Sequence, residues 1–190
     1  MVEFALAVPV FLLLLFAILE LGLFFLTRSS YQEAAQQAAR VVAAAGNATD
    51  ADTQGLNQFR ATLAVGNLGA ITAVTIYDAT VSGDYAFVPG CASVPCPNTY
   101  DTYIYSPTVP TSTTVGGFVC ASNGALSPDA AHAQCPAAWD SSLRHTDATA
   151  LDHVGVTVSY RYKTATGLLP TRVYTQTITT LMEPRSYGGP

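Results

Sequence analysis

The fold is decided by residues 1–26, MVEFALAVPVFLLLLFAILELGLFFL, which form an almost unbroken apolar run. Two acids interrupt it, Glu3 near its start and Glu20 within it. From Phe4 to Leu26 is roughly 23 residues, and a helix rising about 1.5 Å per residue over that length can cross a hydrocarbon core about 30 Å thick. No later stretch of the sequence resembles this run. The pattern therefore predicts an N-terminal helix that can be held in a membrane, followed by a mostly polar domain.

A cleaved secretory signal is the first alternative for this run. Such a signal needs a basic flank, a shorter apolar core and a small-residue cleavage site. No Lys or Arg precedes Arg28, and the Ala-rich segment after the run continues the helical pattern. The run therefore fits a membrane helix better. Because a basic flank normally holds an N-terminus in the cytoplasm, we expect that a basic leader was removed from the precursor.

Composition indicates a small exported protein. Of the 190 residues, about 145 follow the long helix, which is enough for one globular domain with its own core. The chain has 8 Lys and Arg against 13 Asp and Glu, a formal net charge of −5. Nucleic-acid binding depends on clustered cations, and the sequence has no basic cluster. We therefore exclude nucleic acid as a partner.

Four cysteines lie in the middle of the chain: Cys91, Cys96, Cys120 and Cys135. An even number in an exported domain favours disulfides. Three pairings are possible, and we prefer 91–96 with 120–135 because each bond closes a local loop. A zinc site is the competing interpretation, but the spacings lack a C-x2-C knuckle.

The first helix is predicted to continue beyond the apolar run, from about Phe4 to Ala45. It would form a rod on the order of 60 Å long. Small and apolar residues recur at helical spacing, with polar residues on the other face. Gly46-Asn47 supplies a helix end that tolerates the left-handed conformation. The stripe that should pack against the rest of the protein consists of Tyr31, Ala34, Ala35, Ala38, Val41, Val42 and Ala45.

A second helix is predicted from about Thr53 to Val65, with Asp52 or Thr53 as its cap. Leu56, Phe59 and Leu63 should line its buried face.

Alternating, β-branched segments then predict strands at 71–78 and 153–163, and 172–182 is the natural antiparallel partner of the second of these. Between the first two of these strands, residues 83–151 form a Pro-, Gly-, Ser- and Thr-rich insertion that holds all four cysteines. Short strands are possible at 99–106 and 115–120.

The sequence gives poor support for catalysis or a resident cofactor. The segment HTDATALDH (145–153) brings two of the three histidines near Asp147 and Asp152. A polar loop explains it better than a metal site, since no helical H-x3-H accompanies it. Asp50 and Asp52 lack the ligand series of a calcium loop. Solvated loop charge is the better interpretation, so we expect no metal and no cofactor.

Three segments together resemble a known family. The stretch VEFALAVPVFLLLLFAILELG (2–22) resembles the N-terminus of the TadE-like family, pilin-like proteins of the tight-adherence (Tad) branch of type IV pili. The family pattern is a Glu-Phe or Glu-Tyr pair, a later Pro, and a Leu-rich run that ends in an acid and Gly. Glu3-Phe4, Pro9 and Glu20-Leu21-Gly22 fit that pattern. YQEAAQQAARVVAAAG (31–46) is similar to the family's helix after the membrane, and 154–184 to its closing hairpin.

The resemblance implies a prepilin that waits in the inner membrane. A prepilin peptidase would remove its leader, and pilus assembly machinery would then pull it into an extracellular filament (fimbrium) or its tip. Family members usually place the Glu at the fifth mature position, whereas Glu3 is third counting from Met1.

Glu3 and Glu20 each have two interpretations. A carboxylate in an apolar helix is costly unless it is paired or reaches the interface. Glu3 can pair with the α-amino group of an adjacent copy, or it is simply interfacial. Glu20 can snorkel to water, or it meets a polar group of a neighbour after assembly. Pro9 either kinks the helix, exposing carbonyls 5 and 6, or bends it mildly.

The sequence thus predicts an α+β, pilin-like fold. Residues 1–46 would form a membrane and assembly helix, and residues 47–190 a head with an antiparallel sheet and a disulfide-stapled insertion. The favoured function is a structural subunit of a Tad or type IV-like filament, formed by helix packing among copies. The alternative is a monomeric, membrane-anchored extracytoplasmic binding protein. An enzyme is not expected.

Overall fold

A computed structural model describes residues 2–63, 65–80, 99–106, 117–122, 125–126, 139–140, 144–147, 149–166 and 170–184. It contains two α-helices, one 3-10 helix and six strands. The helices are α1 (Val2–Ala45), α2 (Ala51–Thr62) and the 3-10 helix (Val65–Ala70). The strands are β1 (Ile71–Asp78), β2 (Tyr100–Tyr105), β3 (Phe118–Ser122), β4 (Ala125–Leu126), β5 (His153–Tyr162) and β6 (Arg172–Leu181).

The strands form one antiparallel sheet in the order β4-β3-β2-β1-β5-β6. The closing hairpin is regular, and its register runs from His153 opposite Leu181 to Tyr162 opposite Arg172. Strands β1, β5 and β6 are therefore confirmed close to their predicted bounds, as is the β5–β6 pairing. Three of the strands, β2, β3 and β4, lie within the Pro- and Gly-rich stretch. β2 pairs with β1, β3 pairs with β2, and β4 pairs with β3.

The helices cover one face of this sheet. The distal half of α1 lies across β5 and β6, while Phe59 of α2 meets Phe118 of β3 edge to face. The predicted small-residue stripe of α1 is buried except for Val41, which is half-buried. Small side chains let the two helices approach closely. A Cβ added to Gly55 of α2 would lie 2.3 Å from Val42 Cγ2 of α1.

The end of α1 follows the predicted chemistry. Gly46 has φ 58°, the left-handed conformation that glycine adopts without steric cost. Its N–H donates to the carbonyl of Val42 at 3.0 Å. The α1 helix thus ends at Ala45, as predicted.

The predicted start of α2 is wrong. The helix begins at Ala51, and its N-cap is Asp50, whose side chain makes no capping hydrogen bond. Asp52 is fully buried, so the interpretation of it as solvated loop charge is wrong as well. The predicted apolar face of α2 is confirmed, because Leu56, Phe59 and Leu63 are all buried.

Strand β5 is buried on both faces along part of its length. Val154, Val156, Val158 and Tyr160 face the helices and are inaccessible to solvent. On the other face, the ring of Tyr77 lies over Gly155, its cross-strand neighbour. A Cβ at residue 155 would come within 2.1 Å of that ring. Glycine is therefore required here by space.

Candidate functional site at the rod–head junction

The N-terminal half of α1 projects from the head as an uncovered apolar rod. Residues 7–19 are all exposed, with Phe11 65% and Ile18 69% accessible. Among the described residues, one helix, Ala7–Ala45, is long and apolar enough to span a membrane, and its most apolar window is only 6% buried. A surface of this kind is far larger than the patch of about 300–600 Å² that a monomer in water usually exposes. The rod therefore needs a lipid or protein environment.

The four residues singled out for assembly lie along this helix. Glu3 and Phe4 lie in its first turns, and their side chains are outside the described part of the chain. Pro9 lies within the helix, which continues through it. Proline lacks an N–H, so the carbonyl four residues earlier loses its helical donor. The assembly roles of these residues stay predictions.

Glu20 is held by its own head. Its side chain is only 7% exposed, in contrast to the residues before it. Oε1 accepts hydrogen bonds from the Tyr162 hydroxyl at 2.9 Å and the Ala165 N–H at 3.1 Å, and Oε2 accepts one from the Thr166 N–H at 3.1 Å. We call these three donors the Glu20 cup. Hydrogen bonds to a charged group are the stronger kind, so the cup offsets the cost of a carboxylate in an apolar helix.

This arrangement differs from the interpretation in which Glu20 extends into water, because within one copy the loop after β5 holds the carboxylate. A contact of Glu20 with a neighbour after assembly stays a prediction. Burial, together with the hydrogen bond to Glu20, raises the pKa of Tyr162 to about 12. The hydroxyl therefore stays protonated and remains a donor at physiological pH.

An aromatic cluster extends the contact along α1. The ring of Phe24 lies 5.3 Å from that of Tyr162 and 5.0 Å from that of Tyr174, measured between centroids. Two turns farther on, Tyr31 stacks on Tyr160 at 4.0 Å. Aromatic pairs contribute about 0.5–1.5 kcal/mol each beyond their burial. The head is therefore fixed to α1 both by the cup and by ring packing.

An open groove of about 620 Å³ lies beside the cup. On the α1 side it is lined by Leu13, Phe16, Ala17, Leu21 and Phe24 together with Glu20. The hairpin side contributes Tyr162, Thr164, Thr166, Pro170, Arg172 and Tyr174. Its walls are mostly apolar, and its polar groups lie on the hairpin side. We refer to the cup, the aromatic cluster and the groove together as the junction.

A second polar cluster is buried inside the head. Arg144 Nη2 lies 2.8 Å from Asp52 Oδ1 and 3.9 Å from Asp101 Oδ2. The Tyr103 hydroxyl donates to Asp52 Oδ2 at 2.8 Å, and the guanidinium lies 4.2 Å from the centre of the Trp139 ring. Burial and the nearby carboxylates raise the pKa of Tyr103 well above its usual value. This cluster ties Trp139 and Arg144 to α2 and β2.

His145 and Asp152 contact each other directly. Asp152 Oδ2 accepts from the His145 N–H at 2.8 Å, and His145 Nδ1 lies 3.4 Å from Asp152 Oδ1. Within the described ranges no three His, Cys, Asp or Glu side chains are grouped so as to hold a metal ion.

Of the cysteines, Cys120 is buried in β3 and disulfide-bonded. Cys91, Cys96 and Cys135 lie outside the described residues. The pairing of 91 with 96 and of 120 with 135 therefore stays a prediction.

Comparisons with known proteins bear on the same end of the molecule as the junction. Neither a curated protein nor a solved structure matches the chain. A family model does match, over residues 1–40, and its description is TadE-like protein. That range contains the apolar rod, Glu20 and the first turns of α1 that pack under the head. The resemblance of the C-terminal hairpin lies beyond the match and stays a prediction. The match thus confirms the TadE-like resemblance for residues 1–40, the segment that contains the apolar rod.

Proposed function

We propose that this chain is a structural subunit of an extracellular Tad or type IV-like filament, in which the apolar rods of many copies pack together. The observation that carries the proposal is the rod itself. Residues 7–19 are apolar around the whole circumference of α1 and exposed on every side. Outside a membrane only other apolar surfaces can cover such a helix, and copies of the same rod supply them.

The proposal assigns assembly roles to Glu3, Phe4, Pro9 and Glu20. Glu3 would pair with the α-amino group of an adjacent copy, since a carboxylate among apolar helices needs an opposite charge. Phe4 belongs to the apolar surface beside it. Pro9 leaves one carbonyl available to other donors. Glu20 would act within its own copy by holding the head in register on the rod.

The proposed life history has two stages. The chain first waits in the inner membrane, with α1 in the bilayer and the head outside. After cleavage by a prepilin peptidase, assembly machinery transfers it into the filament. Residues 1–46 serve membrane and assembly contacts, and residues 47–190 form the displayed head, stapled by disulfides 91–96 and 120–135. No catalytic step is assigned to it.

The test compares two carboxylates of the same helix. Glu3→Gln keeps the size of the side chain and removes its charge, which weakens a charge-assisted contact by about 1.5–3 kcal/mol. Glu33→Gln is the matched control, because Glu33 lies on the exposed face of the distal half of α1. The measurement is the ratio of sheared filament to membrane-retained protein, with the filament protein identified by mass spectrometry.

We expect wild type and Glu33→Gln to form lipid-free fibres, and Glu3→Gln to accumulate in the membrane. Equal filament yield from all three would contradict the role of Glu3. A wild-type protein found only as a lipid-bound monomer would contradict the filament itself and favour the membrane-anchored binding protein.

A further inference from the structure

We propose that the groove at the junction binds an anionic phospholipid of the membrane that holds α1, with the acyl chain along the rod and the phosphate at the hairpin rim. This inference goes beyond filament formation and concerns the stage before it. It rests on membrane anchoring of α1 and does not depend on assembly.

The shape of the groove suits a lipid. Leu13, Phe16 and Ala17 form its lower wall on the part of α1 that is exposed and apolar. Its upper part is bounded by Thr164, Thr166 and Arg172 of the hairpin. The groove is therefore apolar toward the N-terminal end of α1 and polar toward the head, the same order as the acyl chains and headgroup of a phospholipid.

The groove carries a cation at its polar end. Arg172 lines it and is exposed, although the chain as a whole has a formal net charge of −5. Arg172 is opposite Tyr162 in the hairpin register, so both side chains lie on the groove face of the sheet. The one carboxylate of the junction, Glu20, is occupied by its cup.

The depth of these groups along α1 agrees with a membrane interface. Glu20 and Arg28 are eight residues apart, about 12 Å along the helix. Tyrosines and cations concentrate at the headgroup level of membranes, and long basic side chains extend toward phosphate from apolar surroundings. Tyr162 and Tyr174 lie at the level of Glu20 and Phe24. The junction therefore carries both signatures of an interfacial site within one helical segment.

A second copy's rod is the competing occupant of the groove. Such a rod could cover the apolar wall, but its residues 4–19 carry no charge to face the basic rim. An anionic lipid satisfies both the wall and the rim. We therefore commit to the lipid, and treat the rod as an outcome of the test.

The test uses the full chain in nanodiscs of phosphatidylcholine mixed with phosphatidylglycerol. Spin-labelled versions of each lipid report the relative association constant at the protein surface. The rim variant is Arg172→Gln, which removes the cation that lines the groove. Its matched control is Arg40→Gln, which removes an exposed cation of α1 away from the junction. The groove variant is Ala17→Trp, which fills the apolar wall without changing charge.

We expect wild type to prefer phosphatidylglycerol, and the rim variant to lose roughly fivefold of that preference. The control should retain it. Ala17→Trp should reduce the immobilised phosphatidylglycerol even though all cations remain. Equal association of both lipids with wild type would overturn the proposal, as would a rim variant or groove variant that behaves like wild type. Cross-linking of residue 17 to the rod of another copy in the same nanodiscs, with no lipid preference, would assign the groove to a second copy.

Discussion

Glu20→Ala tests the central contact of the junction, the attachment of the head to the rod. The substitution removes the acceptor of three charge-assisted hydrogen bonds, each about 1.5–3 kcal/mol in a protein. Ala165 and Thr166 are exposed, so water replaces much of what their N–H groups lose. We therefore expect the loop after β5 to open more easily by about 2–4 kcal/mol.

Native-state hydrogen exchange of the detergent-solubilised protein measures this effect. The amides of Ala165 and Thr166 donate directly to the carboxylate, so their exchange reports cup opening. At about 1.4 kcal/mol per factor of ten, we expect exchange at these two amides at least roughly 30-fold faster. The exchange rate in Glu20→Gln should fall between those of wild type and Glu20→Ala, because the side-chain amide oxygen still accepts a hydrogen bond while the NH2 group faces a donor.

Glu33→Ala is the matched control, since it removes an exposed carboxylate of the same helix. It should leave the exchange of both loop amides unchanged. Membrane insertion of Glu20→Ala should not fall, because the apolar run loses its intramembrane charge. Wild-type exchange at Ala165 and Thr166 in Glu20→Ala would refute the cup as the element that fixes the head.

Three other predictions concern the head. Gly155→Ala should destabilise by about 1–3 kcal/mol, because its Cβ would overlap the buried ring of Tyr77; thermal unfolding measures the loss. Arg144→Leu should cost about 3–5 kcal/mol in the same assay, because it leaves Asp52 as a buried charge without its cation. Tyr162 has a folded pKa of about 12, above the ordinary value of 10.0. The stability that the protonated Tyr162 hydroxyl contributes to the cup is therefore fully present below pH 10 and is lost as the pH rises toward 12. Hydrogen exchange of the Ala165 and Thr166 amides after alkaline pulses should detect this loss.

Matched controls separate these effects from general disruption. Gly69→Ala places its Cβ in open space, so a loss equal to that of Gly155→Ala would contradict the packing argument. Arg60→Leu removes an exposed cation of α2, and unfolding like that of Arg144→Leu would contradict the burial argument. The alkaline transition should be absent from Tyr162→Phe; its persistence there would assign it to another group.

Local patterns sufficed for the elements whose partners are close in sequence. The length of α1, its end at Gly46, and the hairpin of β5 and β6 follow from periodicity and turn chemistry, and the structure has them near their predicted bounds. Strands β2 and β3 were weaker expectations, because their short segments gain stability only from the neighbours they pair with in the sheet.

Long-range polar contacts could not be predicted from the sequence. Asp52 follows a helix start and looks like a cap or a solvated charge, yet Arg144, 92 positions later, draws it into the core. Glu20 meets donors 142 to 146 residues away. Two of those donors are backbone N–H groups, which carry no residue-type signal. The only available signal was the cost of leaving a carboxylate unpaired in an apolar helix.

Because an unpaired carboxylate is costly in an apolar helix, Glu20 marks the boundary between two parts of α1 with different surroundings. Before Glu20, residues 7–19 are exposed and belong to lipid or to neighbouring rods. After it, the face that begins with Phe24 and Tyr31 belongs to the head. A slip of the head by one helical turn, about 5.4 Å, would remove Glu20 from its cup and Tyr31 from Tyr160 at the same time. Because both losses occur together, the head has one register on the rod. Any packing that fixes the rods therefore also fixes where the heads stand.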